Sequence, residues 1–181
     1  LMRGYWKNED ATRAMIDAEG WLHTGDQARV DADGHYTIIG RIKDIIVLNN
    51  GEKVPPEDME SAVTIDTLFE QILVLGEGKP YLAAIVTLNQ DHWKSWCAEH
   101  ELDASRRDTL SDSRVHKMLL ARLAAHIKGF PGYAQIRRAH FVLEPWTVEE
   151  GLLTPTLKKK RAAISARFAR EIESLFQDPR A

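Results

Sequence analysis

The sequence has little cysteine, no long apolar run and no excess of positive charge. The single cysteine, Cys97, excludes a disulfide framework and a zinc site made of several thiolates, and it suits a reducing cytosol. No apolar run approaches the roughly 18–20 residues that a membrane span needs. Lysine and arginine total 24 against 27 acidic residues, a net charge of −3, so no global basic field is present to hold a polyanion. The chain opens without a basic-then-apolar leader, which favours a cytoplasmic protein over a secreted one.

The composition is otherwise that of a soluble globular protein, with 44% apolar and 28% charged residues. A chain of 181 residues can hold one good core, or one domain together with a remnant of another. The seven histidines are scattered without metal-ligand spacing, so the sequence predicts no metal site.

The hydrophobic pattern alternates between strand-like and helical segments. Apolar runs at 69–75 and 81–88 predict two strands joined by a glycine-rich turn, and residues 141–143 predict a third. Apolar residues at every fourth position predict amphipathic helices over 115–128 and 162–176. These segments predict an α+β fold, with a small mixed or antiparallel β-sheet flanked by helices and preceded by a β-hairpin.

The first chemically suggestive segment is a Thr-Gly-Asp turn at residues 24–26. A carboxylate held in a tight turn can accept two hydrogen bonds, which suits a ribose diol. The dipeptide Asp33-Gly34 then predicts a two-residue type I′ hairpin turn, because both of its central residues need positive φ. The hairpin leads into Gly-Arg-Ile-Lys-Asp, in which the planar fork of Arg41 could bind nucleotide oxygens or pair with a carboxylate. Taken singly, each of these residues is more often structural.

The order of these motifs resembles the C-terminal part of the adenylate-forming enzymes, which include acyl-CoA synthetases, luciferases and the adenylation domains of peptide synthetases. The residues Gly-Trp-Leu-His before the Thr-Gly-Asp turn strengthen the resemblance. It implies that Asp26, with Thr24 and Arg41, binds the nucleotide. It also implies that Lys43 is the hinge between residues 1–39, the C-terminal edge of the large adenylate-binding domain, and residues 40–181, the small mobile domain.

A second glycine segment, Asn-Asn-Gly-Glu-Lys-Val at residues 49–54, resembles a loop that these enzymes present to the pantetheine arm of CoA. The resemblance implies that Asn50, Gly51 and Glu52 face CoA. Considered alone, Asn-Gly is a hairpin turn, by the same reasoning as Asp-Gly. Glu57 and Glu60 follow a Pro-Pro helix start, and we interpret them as complements to the helix dipole and not as an acid/base pair.

The last motif is Thr-Pro-Thr-Leu-Lys-Lys-Lys-Arg at residues 154–161. It resembles the family's Pro-x-Thr-x-x-Gly-Lys-x-x-Arg, except that Leu157 replaces glycine, a departure shared by long-chain fatty acyl-CoA synthetases. Aligned on Arg161, the motif makes Lys158 the catalytic lysine, whose ammonium would stabilise the charge that builds up during adenylation. Lys160 is the rival, because residues 158 and 160 share one face of an extended chain. As a bare cluster, the same residues would be a solvated basic surface.

The resemblance implies the C-terminal part of an ATP-dependent acyl-CoA synthetase, which joins a fatty acid to CoA through an acyl-adenylate and releases AMP and pyrophosphate. ATP/AMP, CoA and Mg²⁺ would be its cofactors, with the Mg²⁺ ligands in the large domain outside this chain. That domain would be its partner, and the chain alone is expected to be inactive. The alternatives are a carrier-protein phosphopantetheine as acceptor, or a stand-alone nucleic-acid or membrane-binding module; the net charge argues against nucleic acid, and peripheral membrane association stays open.

Overall fold

The computed structural model describes residues 2–106 and 108–177. Within them the chain divides into two compact units, one ending at Ile45 and the other beginning at Ile46. No helix in these residues is both long and apolar enough to cross a membrane.

The first unit contains one short helix and one β-hairpin. Helix α1 begins after Asn8, whose side-chain oxygen accepts a hydrogen bond of 3.0 Å from the Ala11 amide. Strands β1 and β2 pair antiparallel around a bulge. Gly40 is the one buried residue among residues 2–45, so this unit has no core of its own. The bounds are α1 (Glu9–Met15), β1 (Asp26–Val30) and β2 (Tyr36–Arg41), followed by a 3₁₀ turn over Ile42–Asp44.

The second unit is built on a three-stranded mixed sheet flanked by helices. Strand β5 pairs antiparallel with β6, and β6 pairs parallel with β7, while β3 and β4 form a separate antiparallel pair. This arrangement confirms the predicted α+β fold with a small mixed sheet. The bounds are β3 (Ile46–Val47), β4 (Lys53–Val54), α2 (Pro56–Thr64), β5 (Phe69–Leu75), β6 (Leu82–Leu88), α3 (Gln90–Glu99), α4 (Ser113–His126), β7 (Ile136–Val142), α5 (Arg161–Arg167) and α6 (Ala169–Phe176).

Strand β6 is buried along its whole length and supplies side chains to two hydrophobic cores. Its successive residues point to opposite faces of the sheet. Leu82 and Val86 belong to the larger core, which also contains residues of α2, α3 and α4. Ile85 belongs to the smaller core, together with Trp146 and Ile164. A strand buried on both faces has a continuous apolar sequence, which is why the pattern predicts it well.

The C-terminal helix differs from its prediction. The sequence predicts one helix over 162–176, whereas the structure has two, α5 and α6, which meet at Phe168. Phe168 leaves helical geometry with φ −108° and ψ 27°. Its ring centroid lies 6.5 Å from that of Trp146 and 6.4 Å from that of His140. The break therefore occurs where an aromatic side chain packs against the smaller core.

The hairpin turn of the first unit is longer than predicted. The Gly34 amide donates to the Asp31 carbonyl oxygen and the Asp31 amide donates to the His35 carbonyl oxygen, both at 3.1 Å. These bonds enclose a three-residue loop whose last residue, Gly34, is left-handed with φ +84°. The predicted type I′ turn is wrong, because Asp33 does not have positive φ. The Asp31 carboxylate stabilises the longer loop by accepting hydrogen bonds from the Asp33 and His35 amides.

The loop between β3 and β4 repeats this arrangement. The Gly51 amide donates to the Leu48 carbonyl oxygen, and the Leu48 amide donates to the Glu52 carbonyl oxygen, both at 2.9 Å. Gly51 is left-handed with φ +86°, and Asn50 does not have positive φ. The predicted tight turn is therefore present, but with three loop residues in place of two.

Candidate functional site

The hairpin of the first unit brings together the three residues predicted to bind the nucleotide. Antiparallel pairing places Asp26 opposite Arg41. Arg41 Nη1 donates a hydrogen bond of 2.8 Å to the Thr24 carbonyl oxygen, and Arg41 Nε lies 3.2 Å from an Asp26 carboxylate oxygen. The Asp26 amide donates to Thr24 Oγ1 at 3.2 Å. The turn and the arginine thus form one polar cluster.

This cluster keeps hydrogen-bonding capacity on its exposed side. The side chains of Asp26 and Arg41 are 31% and 57% exposed. A carboxylate can accept hydrogen bonds from the two hydroxyls of a ribose diol, while a guanidinium donates to ribose oxygens. Gly25, between Thr24 and Asp26, has φ +75°, a conformation that favours glycine. The donors and acceptors in this cluster fit the ribose of a nucleotide.

Lys43, the predicted hinge residue, lies in the 3₁₀ turn Ile42–Asp44, just before the boundary between the two units. Its side chain is exposed. The residues that flank the turn, Arg41 and Ile45, have extended backbones with ψ of 135° and 124°. An exposed polar residue between extended segments can change its backbone dihedrals without disturbing a core.

The three residues predicted to face CoA lie on an exposed loop. Asn50, Gly51 and Glu52 are all exposed, and the Glu52 amide donates to Asn50 Oδ1 at 3.1 Å. A contact with the β5–β6 turn also holds the loop, since the Asn49 amide donates to the Lys79 carbonyl oxygen at 3.0 Å. A Cβ on Gly51 would meet nothing within 4 Å, so the positive φ, and not crowding inside this chain, accounts for glycine here.

The lysine motif forms a third hairpin of the same type. The Leu157 amide donates to the Thr154 carbonyl oxygen, and the Thr154 amide donates to the Lys158 carbonyl oxygen, both at 2.8 Å. Leu157 therefore holds the left-handed position and has φ +60°. The resemblance assigns glycine to this position in most adenylate-forming enzymes, and the structure gives the physical reason. A non-glycine residue in this conformation costs about 1–2 kcal/mol.

Alternation along this hairpin separates the lysines into two groups. Lys158 and Lys160 are exposed, whereas the Lys159 ammonium reaches the carboxylate of Glu60. Arg161 binds the same carboxylate at 2.8 Å. Among the described residues, the cations at 158–161 therefore form two ion pairs, Lys159 with Glu60 and Arg161 with Glu60. No carboxylate of the described residues lies within 4.0 Å of the Lys158 or Lys160 ammonium.

Glu60 is not the exposed complement to the helix dipole that the sequence suggests. It is 3% exposed, and its carboxylate accepts hydrogen bonds from Lys159 Nζ, from Arg161 Nη1 at 2.8 Å and from the Val74 amide at 2.9 Å. A signal was present in the sequence: Glu60 lies three residues before Val63 on the buried face of α2. Its neighbour Glu57 is exposed in the first turn, as predicted.

Three groups of the 31–35 loop could share a metal ion, since side-chain atoms of Asp31, Asp33 and His35 lie within 4.8 Å of one another. All three residues are exposed. The loop's hydrogen bonds already explain why Asp31 is there. The group is therefore an acidic turn and carries no metal assignment.

The chain matches one protein-family model and is similar in sequence to several named enzymes. The model of the AMP-binding enzyme C-terminal domain matches residues 43–180. The long-chain-fatty-acid–CoA ligase FadD15 of Mycobacterium tuberculosis is 33% identical over 180 residues, a stretch that covers 97% of this chain and 30% of the ligase. The peroxisomal long chain acyl-CoA synthetase 7 of Arabidopsis thaliana is 35% identical over 185 residues and covers 98% of this chain and 26% of the synthetase.

Solved structures agree with this match. The adenylation domain of a carboxylate reductase from Mycobacterium chelonae has a TM-score of 0.83 and 25% identity, over 98% of this chain and 26% of that one. The A-PCP didomain of a carboxylic acid reductase from Segniliparus rugosus, solved with AMP, has a TM-score of 0.79 and 25% identity, over 97% and 23% of the two chains. The chain spans less than a third of the length of the relatives that it matches.

Proposed function

The chain belongs to the family of AMP-binding enzyme C-terminal domains, and on that premise we propose that it is the C-terminal part of a long-chain fatty acyl-CoA synthetase. The whole enzyme would form an acyl-adenylate and pyrophosphate from a fatty acid and ATP, and would then transfer the acyl group to CoA with release of AMP. Support comes from relatives named as long-chain-fatty-acid–CoA ligases, which match 97–98% of this chain.

The observation that carries the proposal is the exposed ammonium of Lys158, which directly follows the loop of the third hairpin and has no carboxylate within 4.0 Å among the described residues. When a carboxylate attacks the α-phosphorus of ATP, negative charge gathers on the attacking oxygens and on the phosphoryl group. A fixed cation placed there stabilises the transition state more than the separated reactants. Lys158 would supply that cation during adenylation, and it has no competing carboxylate among the described residues.

The nucleotide itself would be held in part by the first unit. Asp26 would accept hydrogen bonds from the ribose hydroxyls, and Arg41 would donate to ribose oxygens beside it. The contacts among Thr24, Asp26 and Arg41 support this role, because they orient both charged groups on one exposed edge of the hairpin. Mg²⁺, when bound, would neutralise phosphate charge, and we assign its ligands to the large domain outside this chain.

We further propose that residues 1–39 are the C-terminal edge of the large adenylate-binding domain and that residues 40–181 form the small mobile domain. Rotation about Lys43 would insert Lys158 for adenylation. It would then withdraw Lys158 and bring the loop of Asn50, Gly51 and Glu52 to the pantetheine arm of CoA. One pocket could thus serve two transition states whose charges lie in different places. The exposure of that loop and the division of the chain at Ile45 support this proposal.

The large domain would be the main partner of the first unit. Large apolar side chains stand exposed on that unit, including Trp6 at 88%, Trp21 at 70% and Tyr36 at 76%. Eight of the eleven large apolar side chains that the described residues expose belong to this unit, and this concentration supports an interface there. We also place the whole enzyme in the cytoplasm, with membrane association left to a vesicle-binding assay of the full-length protein.

The test is the substitution Lys158→Ala in a full-length protein that contains this chain. Adenylation, measured as exchange of pyrophosphate into ATP in the presence of a long-chain fatty acid, should fall about 100- to 1,000-fold. Thioester formation from supplied acyl-adenylate and CoA should stay near the wild-type rate. Lys160→Ala is the matched control, one residue beyond the partly buried Lys159. If Lys160→Ala gives the selective loss, the register is wrong by two residues; if neither does, the proposed role of this hairpin is wrong.

A second acceptor is favoured by one observation. Two structures similar to this chain are adenylation domains of carboxylate reductases, one of them solved together with a PCP domain. A carrier-protein phosphopantetheine would then replace CoA in the second step. Rates of acyl transfer from the full-length protein to CoA and to a phosphopantetheinylated carrier protein would decide between the acceptors. A stand-alone nucleic-acid module is less compatible with the molecule, because Glu60 already pairs with two of the four terminal cations.

A further inference from the structure

We propose that Glu60, Lys159 and Arg161 form a clamp that fixes the register of the third hairpin and so positions Lys158. The inference rests on the proposed catalytic role of Lys158. It assigns these three residues a positioning role, acting through Lys158 without touching the substrate.

The clamp joins the end of the third hairpin and the start of α5 to two elements much earlier in the sequence, α2 and β5. Glu60 lies on α2, while Lys159 and Arg161 lie 99 and 101 residues further along the chain, at the end of the hairpin and the start of α5. Strand β5 completes it: Lys159 Nζ donates to the Ile72 carbonyl oxygen at 2.9 Å, and Arg161 Nη2 donates to the Val74 carbonyl oxygen at 2.7 Å. The end of the hairpin is therefore fixed to both α2 and β5.

The clamp also decides which lysines face outward. In an extended strand successive side chains point to opposite sides, so an inward Lys159 forces its two neighbours outward. A slip of one residue would reverse this order, taking Lys158 or Lys160 to Glu60 and exposing Lys159. A backbone hydrogen bond within the hairpin marks the same register, since the Lys160 amide donates to the Leu152 carbonyl oxygen at 2.9 Å.

Charge and burial argue that the clamp serves geometry more than stability. Glu60 is 3% exposed, whereas the side chains of Lys159 and Arg161 are 29% and 24% exposed. Removing ionised groups from water carries a desolvation cost that their attraction only partly recovers, and apolar side chains of similar size are often as stable. Ionic groups can instead specify one arrangement out of several. Here the arrangement specified is the one that presents Lys158.

The test uses Glu60→Gln in the full-length protein, with Glu57→Gln on the exposed side of the same helix as the matched control. Loss of the clamp should lower the kcat of adenylation about 10- to 100-fold, because the lysine is no longer held in place. The KM for ATP and the rate of thioester formation from acyl-adenylate should stay near wild type. Equal losses in both half-reactions would show a general folding defect and would overturn the inference.

Two further measurements separate positioning from folding. In the Lys158→Ala background, Glu60→Gln should cause no additional loss of adenylation, since Glu60 acts through Lys158; independent, multiplicative losses would overturn the clamp. Lys159→Met is the milder variant in case Glu60→Gln does not fold, because Glu60 keeps Arg161 as a partner. Lys159→Arg should restore adenylation relative to Lys159→Met, and failure to restore it would count against a charge-dependent clamp.

Hydrogen exchange distinguishes a wrong clamp from a wrong catalytic lysine. In Glu60→Gln the amides of Thr154 and Lys160, which are hydrogen-bonded within the hairpin, should exchange faster than in wild type because the hairpin opens more readily. The amides of strand β6 should exchange faster only by the factor that the loss of global stability gives. If Lys158→Ala leaves adenylation unchanged but hairpin exchange still rises in Glu60→Gln, the clamp stands and the proposed catalytic role fails. If exchange in the hairpin does not change, the clamp is wrong whatever Lys158 does.

Discussion

The two units of this chain differ in how they are held together. In the first, Gly40 is the one buried residue among residues 2–45, and eight of the eleven large apolar side chains that the described residues expose belong to it. In the second, a sheet buried on both faces is covered by two hydrophobic cores. The second unit has the buried cores of a folded domain, whereas the first has almost no buried residues, which supports our proposal that it is the edge of a larger domain.

Local polar contacts account for most of the order in the first unit. The Asp31 carboxylate fixes its hairpin turn, and the Arg41 guanidinium ties the second strand to the Thr-Gly-Asp turn. Such contacts define a backbone conformation but contribute little free energy when they are exposed to solvent. These contacts hold Thr24, Asp26 and Arg41 together without a core, which agrees with our proposal that they form one part of a nucleotide site that the large domain would complete.

Matched isoleucines should reveal the largest difference between the units. Ile85→Ala, in the fully buried strand β6, should lower the free energy of unfolding by about 4 kcal/mol, since it leaves a cavity in the smaller core. Ile38→Ala in β2, where the side chain is 64% exposed, should change it by less than about 0.5 kcal/mol. Urea denaturation of the isolated chain measures both. A comparable loss for the two variants would remove the distinction between the units.

Matched carboxylates should give the next largest difference. Glu60→Gln should cost about 3 kcal/mol, because it leaves Lys159 and Arg161 partly buried without a counter-charge. Asp26→Asn should cost less than about 1 kcal/mol, because its pair with Arg41 is exposed to solvent. Thermal and urea unfolding of both variants at the same pH would check this order. A larger cost for Asp26→Asn would mean that the first unit depends on that ion pair.

Acid should destabilise the second unit through Asp66. Burial alone would raise the pKa of this carboxyl, but hydrogen bonds from the Arg122 guanidinium, the Leu68 amide and the His126 ring outweigh burial and lower the pKa to about 2. A lowered folded-state pKa means that the stabilisation is fully present above the unfolded value of 3.8 and is lost as pH falls through about 2. Its size is roughly 2 kcal/mol.

Unfolding free energies of wild type and Asp66→Asn, measured between pH 5 and pH 2, would test this contribution. The difference between the two proteins should shrink as the pH falls, because wild type loses a stabilisation that the variant already lacks. In the first unit, the hydrogen bond from the His35 amide lowers the pKa of Asp31, but this side chain is exposed and should contribute little. A difference that is independent of pH would contradict the account of Asp66.

The smallest effect should come from the left-handed position that the hairpins share. Leu157→Gly in the second unit should raise stability by up to about 1 kcal/mol, since relief of the positive φ is partly offset by the entropy of glycine in the unfolded chain. Gly51→Leu, at the same position of the β3–β4 loop in the second unit, imposes the same strain and should lower stability by a similar amount. Differential scanning calorimetry of the pair would show shifts in opposite directions; shifts in the same direction would exclude a common backbone cause.

The fold was predictable where the apolar pattern is strong. Strand β6 and helix α4 lie where the sequence places them, because burial on one or both faces leaves a regular pattern of side chains. The break at Phe168 and the length of the 31–35 turn were missed. The break accompanies contacts of Phe168 with the distant Trp146 and His140. The longer turn depends on polar hydrogen bonds to the Asp31 carboxylate, which the apolar pattern does not record.

The candidate site was predictable to a similar degree. Motif order brings Thr24, Asp26 and Arg41 to one hairpin, and their contacts agree with that grouping. Their role in binding a nucleotide, like that of Lys158 in catalysis, stays a prediction. Glu60 was missed because an acid near a helix start suggests a dipole effect, and its cationic partners lie about a hundred residues away. An ion pair between residues so far apart in sequence cannot be predicted from the local pattern around either residue.

The measurement that tests the comparison most directly is the unfolding of residues 46–181 made as a separate chain. Urea denaturation followed by tryptophan fluorescence is suitable, because Trp93, Trp96 and Trp146 are buried in the second unit. With Trp6 and Trp21 replaced by phenylalanine in the longer chain, residues 46–181 and the whole chain should give the same free energy of unfolding to within about 0.5 kcal/mol. A loss of more than about 2 kcal/mol on removing residues 1–45 would contradict a second unit that folds by itself and carries Lys158 as a rigid domain.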